Sequence, residues 1–207
     1  LKWSYFSSVH SNTICHQCGW SITSRSIIQP KTDLTTFQSP RFVTYMGAPE
    51  SDLRADLQFS TDVDGALEEV LRRMEGDDRL TEVRDFANLL FETNGEEGWE
   101  NLRVEMGDYS TGTVAFVEGQ APGEGEIALS VLNAQQYDLE AGEAMPIRRS
   151  NDAMTEDVVV SGIYQDVTSG GLTAKMQGPA TGDAVGYVIY ADVVGDSDPT
   201  VLAQEYS

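Results

Sequence analysis

The run "DLRADLQF", followed by "DGALEEVLRRMEG" and then "TEVRDFANLLF", restricts the fold of this 207-residue chain more than any other part of it. In the first run Leu53, Ala55, Leu57 and Phe59 alternate with Arg54, Asp56 and Gln58, the pattern of a half-buried strand. Leu67, Val70, Leu71 and Met74 then recur at helical spacing, with Asp64 placed as N-cap and Gly76 as the C-terminal stop. Glu68/Arg72 and Glu69/Arg73 stand four apart on the polar face of that helix. The third run reads as another strand, which completes a β-α-β unit.

After the turn "TNGEEG" the pattern shifts to short strands and glycine corners. "NLRVEM" and "TVAFVEG" read as strands, "APGEGE" as a loop, "SVLNAQQY" as two helical turns, and "DVVVSGIYQDV" as the strongest strand of this region. "AVGYVIYADVV" returns to a long, buried strand, and "DPTVLAQEY" opens a helix with Asp198 as cap and Pro199 in its first turn. A β-α-β at the front and a β-α at the back make most of a split β-α-β-β-α-β layout that lacks its final strand. The fold class expected is therefore α+β, with a small β-rich region set between the two halves. A missing strand predicts an open sheet edge and self-association.

The segment 1–38 differs in character. Residues 1–46 hold Lys2, Arg25, Lys31 and Arg41 against the single acid Asp33, although the whole chain carries a net charge of −21. Both cysteines and both histidines lie here, in "HSNTICHQC". Cys15 and Cys18 have the spacing of half a zinc site or a redox motif, and His10 and His16 lie beside them. The second Cys-x-x-Cys that would complete a zinc site is absent, and no βαβ context supports a redox motif, so an incidental pair in a leader is the favoured reading.

So acidic a chain repels nucleic-acid phosphates and attracts cationic partners, which excludes nucleic-acid binding. No apolar run approaches the roughly 20 residues of a membrane helix, so the sequence reads as a soluble fragment.

The stretch "GIYQDVTSGGLTAKM" holds the most suggestive letters for chemistry. A phosphate-binding loop requires lysine directly after its last glycine, whereas three residues separate Gly171 from Lys175. Ser169 is not three residues before a lysine, as a Ser-x-x-Lys nucleophile would be, and Thr173 is two away. The stretch therefore reads as a glycine turn leaving a strand. The acid pairs Glu96/Glu97, Asp62/Asp64 and Asp196/Asp198 are expected by chance in so acidic a chain. "DVDG" opens like a calcium loop, but the sequence turns directly into the amphipathic helix, as an N-capping turn does. No histidine lies beyond His16, which argues against histidine-based catalysis. Of Trp3, Trp20 and Trp99, only Trp99 lies in the patterned region, where it reads as a core plug beside a turn. No catalytic, cofactor-binding or metal-binding residue is assigned.

"VEGQAPGEGEIALSVLNAQQY", "AGEAM" and "VVVSGIYQDVTSGGLTAKM" resemble the extracytoplasmic region of FtsX-like, MacB-type ABC transporter permeases. The matching elements are Gly119, Pro122, Glu126-Ile127-Ala128-Leu129-Ser130, Gly142 and Gly162-Ile163-Tyr164, and "SPRFVTYMGAPESDLRADLQF" resembles the opening of that region. The resemblance runs from about Ser39 to the C-terminus. It implies a porter-like, split ferredoxin-like part with an inserted β-rich subdomain: a leader at 1–38, a first half at 39–92, an insert at 93–183 and a truncated second half at 184–207. It further implies a non-catalytic domain on the extracytoplasmic face of the cell membrane that couples a cytoplasmic ABC ATPase to export or release of a peptide or lipoprotein. A second permease protomer and a cationic peptide or lipoprotein are the partners expected outside. The competing class is a secreted or surface binding module for a glycan or protein. A carboxylate-dependent hydrolase would require two acids at working distance in a cleft.

Overall fold

A computed structural model of the chain describes residues 2–5, 40–58, 62–96, 98–112, 114–150, 152–166, 168–180 and 183–206. Among the described residues the architecture is α+β: ten strands joined in one continuous sheet, with few and short helices. The strands are β1 (Lys2–Tyr5), β2 (Leu53–Gln58), β3 (Leu80–Gly95), β4 (Gly98–Gly107), β5 (Phe116–Gly119), β6 (Glu126–Ser130), β7 (Ala144–Arg149), β8 (Glu156–Tyr164), β9 (Ala174–Gln177) and β10 (Gly186–Val193). The helices are α1 (Pro40–Tyr45), α2 (Val63–Glu75), α3 (Val131–Tyr137) and α4 (Pro199–Glu205), and a 3-10 turn spans Thr168–Gly171.

Two parts of this sheet share one strand. In the first, β1, β2, β10 and β3 lie side by side, all antiparallel, with Leu57 opposite Tyr187 and Tyr187 opposite Ala87. Leu53, Ala55 and Leu57 turn one face of β2 to a core that receives Leu67, Val70 and Met74 of α2 and Leu202 and Ala203 of α4. In the second, β3 pairs β4, β4 pairs β9, β9 pairs β6, β6 pairs β8, β8 pairs β7, and β7 returns to β3. That circuit is a closed six-stranded barrel, which leaves none of those six strands as an open edge. Its interior holds Leu89, Phe91, Leu102, Val104, Ile127, Leu129, Ile147, Val158, Val160 and Ala174, continuous with the core beneath the helices. The boundary expected at 92/93 falls within β3, which runs through both parts.

Local chemistry explains most element ends. Asp62, rather than Asp64, caps α2, its carboxylate accepting from the Gly65 N–H at 2.8 Å. Asp64 instead accepts from the Tyr187 hydroxyl at 2.5 Å, tying the helix to β10. Gly76 does end α2, in a right-handed conformation with φ −85°. Arg72 pairs with Glu69, three residues before it, rather than with Glu68, four before it. Ser130 caps α3, and Asp198 caps α4 with Pro199 just inside it. Tyr206, after α4, donates to Asp77 at 2.9 Å and lies under the Arg73 guanidinium at 4.9 Å. Arg79 bridges Asp77 and Glu205, at 2.7 Å to each, and closes the same clasp.

The outer edge of β2 is not open. Lys2 to Tyr5 pair with β2 in antiparallel register, from a segment whose sequence shows no strand periodicity. Strands β6, β7 and β9 and helix α1 are likewise elements that the pattern of polar and apolar residues does not announce.

Two glycines show why the barrel's flank tolerates no side chain. Gly119, at φ +69°, stands opposite Gly162 in the β5–β8 pair. A Cβ on Gly162 would fall 2.4 Å from the Gln120 carbonyl oxygen, and one on Gly119 would fall 2.1 Å from the Ser161 carbonyl oxygen. Gly162→Ala is expected to lower stability by about 1–3 kcal/mol, read as a lower denaturant midpoint at unchanged slope. For the Tyr206 clasp, burial and the hydrogen bond to Asp77 push the phenol up to about 12. Because the folded value is raised, the phenol's contribution is complete below its ordinary value of 10.0 and is lost as pH rises through about 12. In thermal melts across that range, Tyr206→Phe should cost about 1 kcal/mol at neutral pH and show a smaller alkaline loss than the unchanged chain.

Candidate functional site

The outer surface of the sheet, opposite the helices and the barrel interior, carries a second buried cluster of Phe86, Tyr109, Val114, Ala128, Tyr164, Val188 and Tyr190, with Phe116 and Ala121 packed against it. Strand alternation supplies most of these residues: Val188 and Tyr190 point away from the face that holds Tyr187 and Ile189. Val114, Phe116 and Ala121 come from the segment after β4 that crosses the face. The Ala115 N–H donates to the Thr44 carbonyl at 3.0 Å, joining this segment to α1.

Within the cluster lies an ion pair. Glu105 on β4 and Lys175 on β9 are register partners in the parallel β4–β9 pair. The Lys175 Nζ lies 2.5 Å from the Glu105 Oε1, and the Lys175 side chain is 3% exposed. The Tyr109 hydroxyl donates to the same Oε1 at 2.7 Å, and the Tyr109 N–H donates to the Gln177 Oε1 at 2.8 Å. Nζ stands 5.3 Å from the Tyr109 ring centre and 5.0 Å from that of Tyr164, so the ammonium is enclosed by two aromatic faces as well as a carboxylate. The hydroxyls of Tyr164 and Thr173 are 2.7 Å apart, and Thr173 donates to Asp166. Further along, Arg54 pairs with Asp56 at 2.8 Å and lies over the Tyr190 ring.

The Glu105 carboxylate is held in its ionised form. Burial alone would raise the Glu105 carboxyl, but the Lys175 ammonium and the hydrogen bonds from Lys175 and Tyr109 hold it below its usual range. Burial, then the Glu105 charge and hydrogen bond, push the Tyr109 phenol well above its usual value, and burial and the Asp166 charge do the same for Tyr164. A lysine serving as nucleophile needs an approach to Nζ, whereas this one is packed against carboxylate and rings. Chemically, the arrangement is a clasp between two barrel strands and the segment that covers them.

The other residues weighed in the sequence have separate places. Asp62 and Asp198 are helix caps, Glu96 is exposed in the β3–β4 turn, and Asp196 is exposed after β10. Glu97, His10, Cys15, His16, Cys18 and Trp20 lie outside the described residues. Gly171 ends the 3-10 turn Thr168–Gly171, which leads into β9, where Lys175 lies. Trp99 is not a core plug: it is 39% exposed on the barrel's outer wall, under the Arg148 guanidinium at 4.2 Å. Arg148 also donates to Glu92 at 2.7 Å. Among the described residues, no group of three or more His, Cys, Asp or Glu is arranged to hold a metal ion. No described helix is long and apolar enough to cross a membrane.

Alternation puts Glu105 on the polar side of its strand, where a solvated carboxylate is the ordinary reading. The overlooked signal is Lys175 itself, the only base after Arg149 in a strongly acidic stretch and flanked by Ala174 and Met176.

No family model matches the chain, and no curated protein matches it. In structure the chain is similar to the periplasmic region of MacB from Actinobacillus actinomycetemcomitans, with a TM-score of 0.49 and 8% identity over 74% of this chain and 79% of that one. It is also similar to the extracellular domain of the noncanonic ABC-type transporter YknZ from Gram-positive bacteria, with a TM-score of 0.45 and 14% identity over 72% of this chain and 87% of that one.

Removing Lys175 alone leaves a buried carboxylate without its counter-charge. Lys175→Met is expected to cost about 3–5 kcal/mol, and Glu105→Leu with Lys175→Met to recover most of it, in a double-mutant cycle by urea denaturation. Since the folded Glu105 value is depressed, the pair's contribution is present above the ordinary value of 4.5 and is lost as pH falls through the folded value. The melting temperature of the doubly substituted chain should therefore fall less steeply on acidification below that value.

Proposed function

We propose that this chain is a non-catalytic extracytoplasmic domain of an ABC transporter permease. It would couple a cytoplasmic ATPase, through membrane helices, to export or release of a peptide or lipoprotein. The observation that carries this reading is the sequence resemblance from about Ser39 onward, whose matched residues occupy linked positions in the fold. Gly119 faces Gly162 across the β5–β8 pair, Ile127–Ser130 run beside Val160–Tyr164, and the Gly142 N–H donates to the Val160 carbonyl at 2.7 Å.

In this reading, residues 39–92 and 184–207 form the porter-like part and 93–183 the inserted β-rich part, with β3 shared between them. The order β1-β2-β10-β3, all antiparallel, with α2 following β2 and α4 following β10, supports a split ferredoxin-like arrangement in which β1 stands beside β2 where the last strand belongs. A second permease protomer and the ATPase are the partners this implies.

The natural protein, followed in its source cells with an antibody raised against this chain, should stay in the membrane fraction through salt and alkali washes. It should be cut by protease added outside the cells, and an ATPase subunit should co-purify with it in detergent. Release into a soluble fraction would instead place the chain among secreted or surface binding modules.

A further inference from the structure

The chain is charged well beyond what keeps a small domain in solution. A net charge of magnitude about 2–8 suffices for that, whereas this chain carries −21. Burial does not hide the excess. Among the described residues 22 acids have exposed side chains and 4 bases do, namely Arg72, Arg73, Arg79 and Arg103. Arg72 is taken up by Glu69, Arg79 by Asp77 and Glu205, and Arg73 lies over the Tyr206 ring. So few bases, most of them committed locally, cannot offset the acids.

The fold then sets acids beside acids. Asp64 and Glu68 stand four apart on α2, both exposed, where like charges oppose the helix. Strand β8 runs between β6 and β7, with Val159 opposite Glu126 on one side and Ala144 on the other. Glu124 and Glu126 at the start of β6, Glu140 and Glu143 before β7, and Asp157 on β8 therefore gather at one end of the barrel. Neighbouring strands lie about 5 Å apart, and the next but one about 10 Å. Charges at those separations act on one another in about 0.1 M salt, where the screening length is about 10 Å, and hardly at all in about 1 M, where it is about 3 Å. Unfolding spreads the same charges out, so the repulsion weighs on the folded state.

We propose that the fold is conditional on salt: a diffuse layer of dissolved cations, rather than pairing with the chain's own bases, is what lets this acidic surface close up. The proposal stands independently of the permease reading.

The test is thermal unfolding of the full chain, followed by circular dichroism from about 0.05 to 1 M sodium chloride under reducing conditions. It is compared with a triple variant, Glu124→Lys, Glu140→Lys and Asp157→Lys, at three exposed positions of the acidic barrel end. The three reversals take the net charge from −21 to −15. Self-repulsion grows as the square of the charge, so it falls to about half. The melting temperature of the unchanged chain should rise by at least about 10 °C across that range. That of the triple variant should start higher and rise about half as much. The milder set Glu124→Gln, Glu140→Gln and Asp157→Gln should fall between the two. Salt that acts only by exclusion from protein surface stabilises all three chains alike. An equal rise in all three therefore overturns the proposal, as does a melting temperature of the unchanged chain that does not respond to salt.

Discussion

Strand β3 is the element on which the two parts of the molecule depend. At sixteen residues it is longer than any other strand, and no single partner follows it from end to end. Its first half pairs with β10 and its second half with β7, while β4 lies along its other side from Ala87 onward. One unbroken alternation carries Ala87, Leu89 and Phe91 from the layer beneath the helices into the barrel, so the two cores are one. A one-residue slip would turn all three outward, so register is fixed by both partners at once. Two parts joined by a continuous hydrogen-bonded strand, rather than by a linker, move together. That is the mechanical property a domain needs if it transmits displacement from one end to the other, as the proposed function requires.

The outer face adds a second constraint. A chain with 34 acids and 13 bases repels itself, and it uses few of its bases in the interior. Lys175 and Arg54 are the exceptions, each beside a carboxylate and each against aromatic rings. Such pairs are poor sources of net stability, because desolvation offsets most of the attraction, but they penalise misplacement heavily. Parallel strands β4 and β9 have no hairpin to set their register, and a one-residue slip of β9 would turn Lys175 into the apolar barrel interior, away from Glu105. The ion pair thus supplies a discrimination that apolar packing alone would supply weakly.

How much of this was legible follows from what each strand faces. The strands β2, β4, β8 and β10 and helices α2, α3 and α4 carry a clear period or a cap, and sequence places them within a few residues. Strands β6, β7 and β9 do not. Ile127, Ala128 and Leu129 are buried on both faces, so alternation vanishes, and Met145 and Ile147 of β7 are separated by a proline. Strand β1 fails for another reason: four residues are too few for periodicity, and its place is set by an edge formed much later in the chain. Glu105 and Lys175 were unreadable as a pair because nothing local connects residues seventy apart in sequence. Parallel pairing through a closed barrel is what brings them together.

Closure of the barrel also bears on where the molecule can meet partners. Six of the ten strands among the described residues have no free edge within the circuit, β5 lies along β8, and the helices cover the opposite side of the β1-β2-β10-β3 layer. Main-chain recognition is therefore displaced to the two terminal strands, β1 and β5, while side-chain recognition falls to the barrel's outer wall. There Trp99, Arg148 and Glu92 form a stacked, ion-paired group on a half-exposed surface. An arginine already stacked and paired loses little further rotamer freedom when a partner arrives, and its ring neighbour presents a rigid apolar surface.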